Sequence, residues 1–143
     1  MDVPRDLIAP CGLDCFNCKL HERNITENAR ARFSEAMKIP PEKLPCKGCR
    51  GEKGRPLIFP LCPTYACAER KGIEFCFECG EFPCPRLQPA ADGAEKYTHN
   101  IKLYNLCRMK LVGVDKWAVE EALEIRLKYF KGRFVVGSGP VLD

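Results

Sequence analysis

The 143-residue chain is predicted to fold as a small, α-rich and irregular domain with little or no β-structure. Three observations predict it. Apolar residues recur at helical spacing in one N-terminal and two C-terminal segments. A stretch from Pro45 to Pro89 is dense in Gly, Pro and Cys and shows no sustained period. The length, with 45% hydrophobic and 29% charged residues, suits one domain with one modest core.

In chain order, residues 24–39 read as the first helix. Asn24 and Glu27 have capping-box spacing, Ile25, Ala29, Phe33, Ala36 and Met37 follow as the apolar stripe, and Pro40 and Pro41 stop it. Residues 45–89 read as loops and short turns, which bury too little apolar surface to order themselves. A second helix is predicted from Asp92, with Glu95 at the matching capping position, towards Val112. Its stripe is Tyr97, Ile101, Tyr104 and Leu111, and Cys107 lies on it as a small buried apolar residue. After Gly113 a third helix is predicted from Asp115 to just before Gly132. Ala118, Ala122, Ile125 and Tyr129, beside Val119, Leu123 and Phe130, give it a broad face that packs on the second helix. Phe134 to Val136 allow a short strand, and Gly137 to Pro140 a tail turn that lacks the Lys and following helix of a phosphate loop. The chain is thus read as a single domain, 1–143, with a cysteine-rich part at 7–90 and a helical part with a C-terminal tail at 91–143.

Cysteine is the unusual component: 11 residues, about 8% of the chain. There is no long apolar run, and Asp2, Arg5 and Asp6 occupy the place of a signal peptide's apolar stretch, so a cytoplasmic location is expected and no membrane partner. In a reducing compartment, clustered cysteines serve metals or redox chemistry more often than disulfides. Ten of them form the series Cys11-x3-Cys15-x2-Cys18, Cys46-x2-Cys49, Cys62-x4-Cys67 and Cys76-x2-Cys79-x4-Cys84. Three Cys-x-x-Cys pairs suit metal, because two residues in a tight, zinc-knuckle-like turn aim both sulfurs at one ion while backbone N–H groups bond the thiolates. Gly48 and Gly80 help such turns.

At four thiolates per tetrahedral ion, ten cysteines make two zinc sites with two thiols over, or a cluster with bridging sulfurs. The formal charge of +4 treats thiols as neutral, and two zinc ions on eight thiolates cancel it, so a basic balance calling for nucleic acid is not established. Lys43, Lys47, Arg50, Lys53 and Arg55 near Phe59 are diluted by Glu42 and Glu52, and cations beside thiolates offset their charge, so nucleic acid is not expected as a partner. His21 follows Cys18 at a spacing that permits ligation, and a solvated role before the first helix is the preferred reading. His99 is expected to lie away from the cysteines.

The spacing of Cys11, Cys15 and Cys18 matches that of the 4Fe-4S loop of radical SAM enzymes. The chain is too short for a barrel of about 200 residues or more, and Asn17 replaces an aromatic, so this match is read as accidental. Cys76, Cys79 and Cys84-Pro85 approach a ferredoxin run with altered spacing. An iron–sulfur protein for electron transfer or redox sensing is therefore the alternative to zinc. A thiol-redox enzyme comes third, since no βαβ pattern flanks any pair. No Ser-His-Asp set, nucleotide fingerprint or paired-carboxylate motif stands out, and no catalytic residue is assigned. Glu74, Glu78 and Glu81 lie near cysteines but read as solvated surface.

The segments Ala9-Pro10-Cys11-Gly12-Leu13-Asp14-Cys15, Cys46-Lys47-Gly48-Cys49, Cys62-Pro63 to Cys67-Ala68, Lys71-Gly72-Ile73-Glu74-Phe75-Cys76, Cys79 and Glu81-Phe82-Pro83-Cys84 resemble, in this order, a family of small cysteine-rich prokaryotic proteins of unknown function. The similarity covers most of residues 7–90, and the segment with Trp117 is similar to the family's helical tail. It implies a cytoplasmic, prokaryotic protein in which Cys11, Cys15, Cys18, Cys46, Cys49, Cys62, Cys67, Cys76, Cys79 and Cys84 bind metal. It implies no activity. The function expected is that of a zinc-binding protein with about two structural ions, acting as an interaction or regulatory module on a protein partner.

Overall fold

The computed structural model describes residues 2–131, 133–137 and 139–141. The chain is α-rich. Helix α1 is Glu27–Met37, the single turn α2 is Gly48–Gly51, α3 is Pro63–Lys71 and α4 is Ile101–Val112. Then α5 (Val114–Lys116), a π turn (Trp117–Glu121) and α6 (Ala122–Lys128) run on without a break into a 3-10 turn at Tyr129–Lys131. The strands β1 (Arg133–Val135) and β2 (Gly139–Val141) pair antiparallel, which extends the expected strand at Phe134 to Val136 into a two-stranded ribbon. Residues 132, 138, 142 and 143 and the side chain of Phe130, on which parts of the tail turn and of the third helix's face were placed, lie outside the described residues. Among the described residues no helix is long and apolar enough to cross a membrane.

Local chemistry explains the departures from expectation. Helix α1 is capped by Thr26, whose Oγ1 accepts the Ala29 N–H at 3.1 Å, and not by Asn24. The Asn24 amide instead donates to the carbonyls of Phe16 and Cys18, tying the helix approach to the first cysteine loop. No residue of α1 is buried, so it contributes little to the core. The stretch expected to be loops holds α3. Pro63 occupies the first helical turn, where its missing N–H costs nothing, and Gly72 ends the helix at φ +66°.

The second helix starts later than Asp92. Residues 93–97 close a turn in which the Lys96 and Tyr97 amides bond the Gly93 carbonyl, and Asn100 then pairs both ways with the Ala90 backbone. Its buried face is Ile101, Lys102, Asn105, Leu106 and Met109; Tyr97, Tyr104, Leu111 and Cys107, expected on the buried stripe, are exposed. Asn105 is what turns the helix this way: its amide donates to the Gly12 carbonyl at 2.8 Å. Glycine is required at position 12, at φ +93°, because a Cβ there would stand 2.7 Å from the Lys102 carbonyl oxygen and 2.9 Å from Leu106. On the third helix Trp117, Ala118, Ala122 and Ile125 are buried, while Val119 and Leu123 are exposed, so the apolar face is narrower than predicted.

One core unites both parts of the chain. Ile8, Phe16, Phe75 and Leu87 from the cysteine-rich part pack with Leu106, Met109, Val114, Trp117, Ala118, Ala122 and Ile125, and Phe16 meets the Trp117 ring edge-on at 6.3 Å between centroids. The core is therefore not confined to the packing of the second and third predicted helices on one another, since the cysteine-rich part supplies four of its residues. Phe75 and Leu87 anchor the loop-rich part, yet from 45 to 67 only Gly48 and Gly54 are buried, and from 76 to 86 no residue is.

Polar ties finish the assembly. Arg126 on α6 holds Asp14 in a two-pronged ion pair, Nη2 to Oδ1 at 2.7 Å and Nε to Oδ2 at 2.9 Å, and Asn17 adds a third bond to the same carboxylate. Asp14 has no exposed surface and the Arg126 side chain is 16% exposed. Arg50 donates to the Ile8 and Glu74 carbonyls and lies over the Phe75 ring, so it is spent inside the molecule and is not part of a free basic patch. Removing one partner of a buried pair leaves a buried charge uncompensated. Arg126→Ala is expected to lower unfolding free energy by about 3–5 kcal/mol, whereas Arg108→Ala, which breaks the more exposed pair with Glu121, should cost no more than about 1 kcal/mol. Urea titration of the two variants checks the contrast.

Candidate functional site

The ten clustered cysteines line two cavities. Cys11, Cys15, Cys18, Cys46, Cys49 and Cys62 face a cavity of about 700 Å³, with His21, His99, Lys102 and Arg86 on the same wall. Cys67, Cys76, Cys79 and Cys84 face a second of about 490 Å³, with Lys71 and Glu81. Cys62 and Cys67 are neighbours in sequence but not in site. Cys62 caps the N-terminus of α3 and Cys67 lies five residues on, about 140° around the helix, so the two open on different sides. The cavities adjoin, since Thr64, Pro85 and Arg86 line both.

The first wall is assembled by short backbone ties. The His21 loop is stitched to Cys46, with the Cys46 amide bonding the Leu20 carbonyl at 3.0 Å and the Glu22 amide bonding the Cys46 carbonyl at 2.8 Å. Gly48 at φ +84° lets the Cys46–Cys49 turn close against the first loop: a Cβ there would meet the Cys15 Cβ at 3.4 Å and His21 Nε2 at 3.5 Å. Sulfurs on both walls accept backbone N–H groups two residues ahead. Gly48 donates to Cys46 Sγ and Glu81 to Cys79 Sγ, each at 3.4 Å, and Leu13 bonds Cys11 in the same way. Such N–H···S bonds favour the thiolate and are the support that sequence spacing predicts for a Cys-x-x-Cys turn.

Burial works against that support. It pushes the thiols of Cys15 and Cys76 up to about 12, and those of Cys11, Cys46 and Cys49 upward as well. Cys79 is the exception. The Glu81 amide, and then the Lys71 ammonium 3.2 Å from its sulfur, hold its thiol below the ordinary value. Among the described residues no three Cys, His, Asp or Glu side chains converge closely enough to hold an ion as they stand.

His99, Lys102 and Arg86 of the first wall were not anticipated from sequence, and His21, expected to be solvated, is buried. His99, expected away from the cysteines, sits in the turn before α4 and lines the same cavity. Lys102, 4% exposed, has its Nζ 3.0 Å from His99 Nε2, and its charge favours the Cys11 thiolate. The only sequence signal for Lys102 was its place beside Ile101 and Asn105 on what proves to be the buried face. Among the described residues no carboxylate lines this cavity, so the fixed side-chain charges they place there are positive and suit anionic sulfur. Glu74 and Glu78 point elsewhere: Glu74 pairs with Arg5, and Glu78 accepts the Glu74 backbone N–H.

Metal-free protein treated briefly with iodoacetamide at pH 7 should be modified at Cys79 well before Cys15 or Cys76. A lowered thiol pKa means more thiolate at neutral pH, while thiols held near 12 should gain reactivity only as pH rises. Peptide mapping across a pH series checks the order.

Neither a curated protein nor a solved structure matches the chain. A family model does match, over residues 7–89, that is, the segment that builds both cysteine walls and Phe75 and Leu87 of the core. The chain accordingly belongs to the family of proteins of unknown function DUF3795.

Proposed function

We propose that this protein binds metal at two thiolate centres and uses them to order a surface that engages a protein partner. Cys67, Cys76, Cys79 and Cys84 form the first centre, matching the four-thiolate requirement of structural zinc. The second draws its ligands from Cys11, Cys15, Cys18, Cys46, Cys49 and Cys62. The observation that carries the reading is this division of ten cysteines from four separated stretches of chain between two cavities. The nearly coreless segments 45–67 and 76–86 support it, because they contain seven of the ten and gain most from coordination. Structural zinc contributes about 10 kcal/mol or more of apparent binding free energy to segments of this kind. Binding draws the sulfurs together and displaces their protons, so affinity falls as pH falls.

Zinc in both centres is the reading adopted. The six-thiol cavity, with more sulfurs than one tetrahedral ion uses, is the specific feature that favours an iron–sulfur cluster there as a second reading. The partner surface is supported by Val119, Leu123 and Leu127, an exposed apolar row at helical spacing of four.

Elemental analysis with an absorption spectrum, on tag-free protein purified without oxygen, should find about two colourless zinc ions per chain. Iron with sulfide and absorption near 400 nm replaces zinc by the second reading, and protein isolated without metal refutes both and leaves a thiol-redox site at Cys79 to be considered. Cys84→Ser should remove one ion and leave the other, as should Cys49→Ser for the other centre. Loss of both ions in either variant refutes the division into two sites.

A further inference from the structure

We infer that His21 serves the six-cysteine centre as a hydrogen-bond donor to metal-bound sulfur and is not itself a ligand, an assignment that rests on the metal-binding reading above. The imidazole is 2% exposed. Its Nδ1 accepts the backbone N–H of Arg23 at 3.2 Å. A backbone amide can only donate, so the lone pair on Nδ1 is engaged and the ring proton resides on Nε2. That Nε2 is buried and has no hydrogen-bond partner among the described residues. A buried N–H without an acceptor carries a desolvation penalty that native structures seldom leave unrelieved.

What faces Nε2 identifies the acceptor. The ring lies on the wall that carries Cys11, Cys15, Cys18, Cys46, Cys49 and Cys62, and the missing side chain of Gly48 leaves Nε2 open on the side where Cys15 stands. Among the described residues no carboxylate lines that wall, and its other ionisable groups are Lys102, Arg86 and His99. Sulfur is therefore the abundant acceptor, and a thiolate that holds a metal retains the lone pairs to accept. Ligation through Nε2 would need the ring proton on Nδ1, aimed at the Arg23 N–H, so that two donors would oppose each other. Doubly protonated imidazole has the same conflict. His21 is thus not among the ligands of this centre, and it holds a thiolate in place, as hydrogen-bonded neighbours of metal ligands do.

The test compares wild type with His21→Gln, which keeps an N–H donor near the Nε2 position, and His21→Leu, which removes it. Each full-length chain is loaded with zinc or with cobalt(II) as a coloured substitute. Metal per chain is counted, affinity is measured by chelator competition, and the cobalt–thiolate charge-transfer band is recorded. On the zinc-loaded wild type, two-bond ¹H–¹⁵N correlation shows which ring nitrogen carries the proton. The expected result is Nε2 protonation, wild-type metal count, affinity and band position in His21→Gln, and a full count in His21→Leu with affinity weakened about 10–100-fold and a shifted band. Loss of an ion in His21→Gln, a proton on Nδ1, or a His21→Leu chain indistinguishable from wild type overturns this assignment while leaving the two-centre reading intact. Wild-type protein that takes up no metal overturns both. Should His21→Leu fail to fold, the ring-proton measurement and the His21→Gln count still decide the matter.

Discussion

The buried carboxylate of Asp14 constrains how everything around it is placed. It lies within the Cys11–Cys18 loop, and an ionised group without exposed surface persists only when paired and hydrogen-bonded. The partner comes from Arg126 on α6, 112 residues away, so the first cysteine loop takes its shape only when the C-terminal helix is docked. Asn105 holding the Gly12 carbonyl and Phe16 against Trp117 act on the same loop from the same side. The cysteine-rich part is consequently not a free-standing knuckle. The helical part packs against it and also sends His99 and Lys102 to the cavity with the six sulfurs.

Helix α3 performs the complementary task of keeping the two sets of sulfurs apart. Its N-terminus presents Cys62 to one set and its second turn presents Cys67 to the other. A helix is a stiff spacer, so the two groups of thiols stay separate even though Cys11 and Cys76 are near enough to influence each other. Arg50 and the bond from the Cys76 amide to the Pro10 carbonyl hold the two walls in register.

Much of this was legible in the sequence, and the failures have physical causes. The α-rich class and the pairing of the last two helices follow from apolar periodicity, which survives because both helices do pack on a core. The face of α4 was misread because Asn105 and Lys102 are buried for reasons that polarity conceals: one bonds a loop carbonyl and the other reaches into a cavity. Cys107 followed the same error and is exposed. Helix α3 escaped notice since it carries Cys67, follows directly on Cys62 and has no apolar stripe, although Pro63 and Gly72 marked both ends. Spacing singled out ten cysteines but not their grouping between the two cavities, because Cys62 and Cys67 open on different sides of α3. The roles of His21 and His99 depend on contacts distant in sequence and could not be read from their neighbours.

The π turn at Trp117–Glu121 sets the phase of the helix that follows. One additional residue in the turn rotates all later side chains by about 100° relative to an uninterrupted helix. Trp117 and Ala118 meet the core at the start of the turn, and Ala122 and Ile125 meet it afterwards, with Arg126 brought round to Asp14. An α-helix of the same composition but one residue shorter could bury the early residues or align the guanidinium, not both. The molecule therefore carries a length code in this helix: a single inserted residue couples the packing of its first half to the ionic clasp on the distant cysteine loop, and related chains that keep the clasp must keep the insertion or shift the arginine with it.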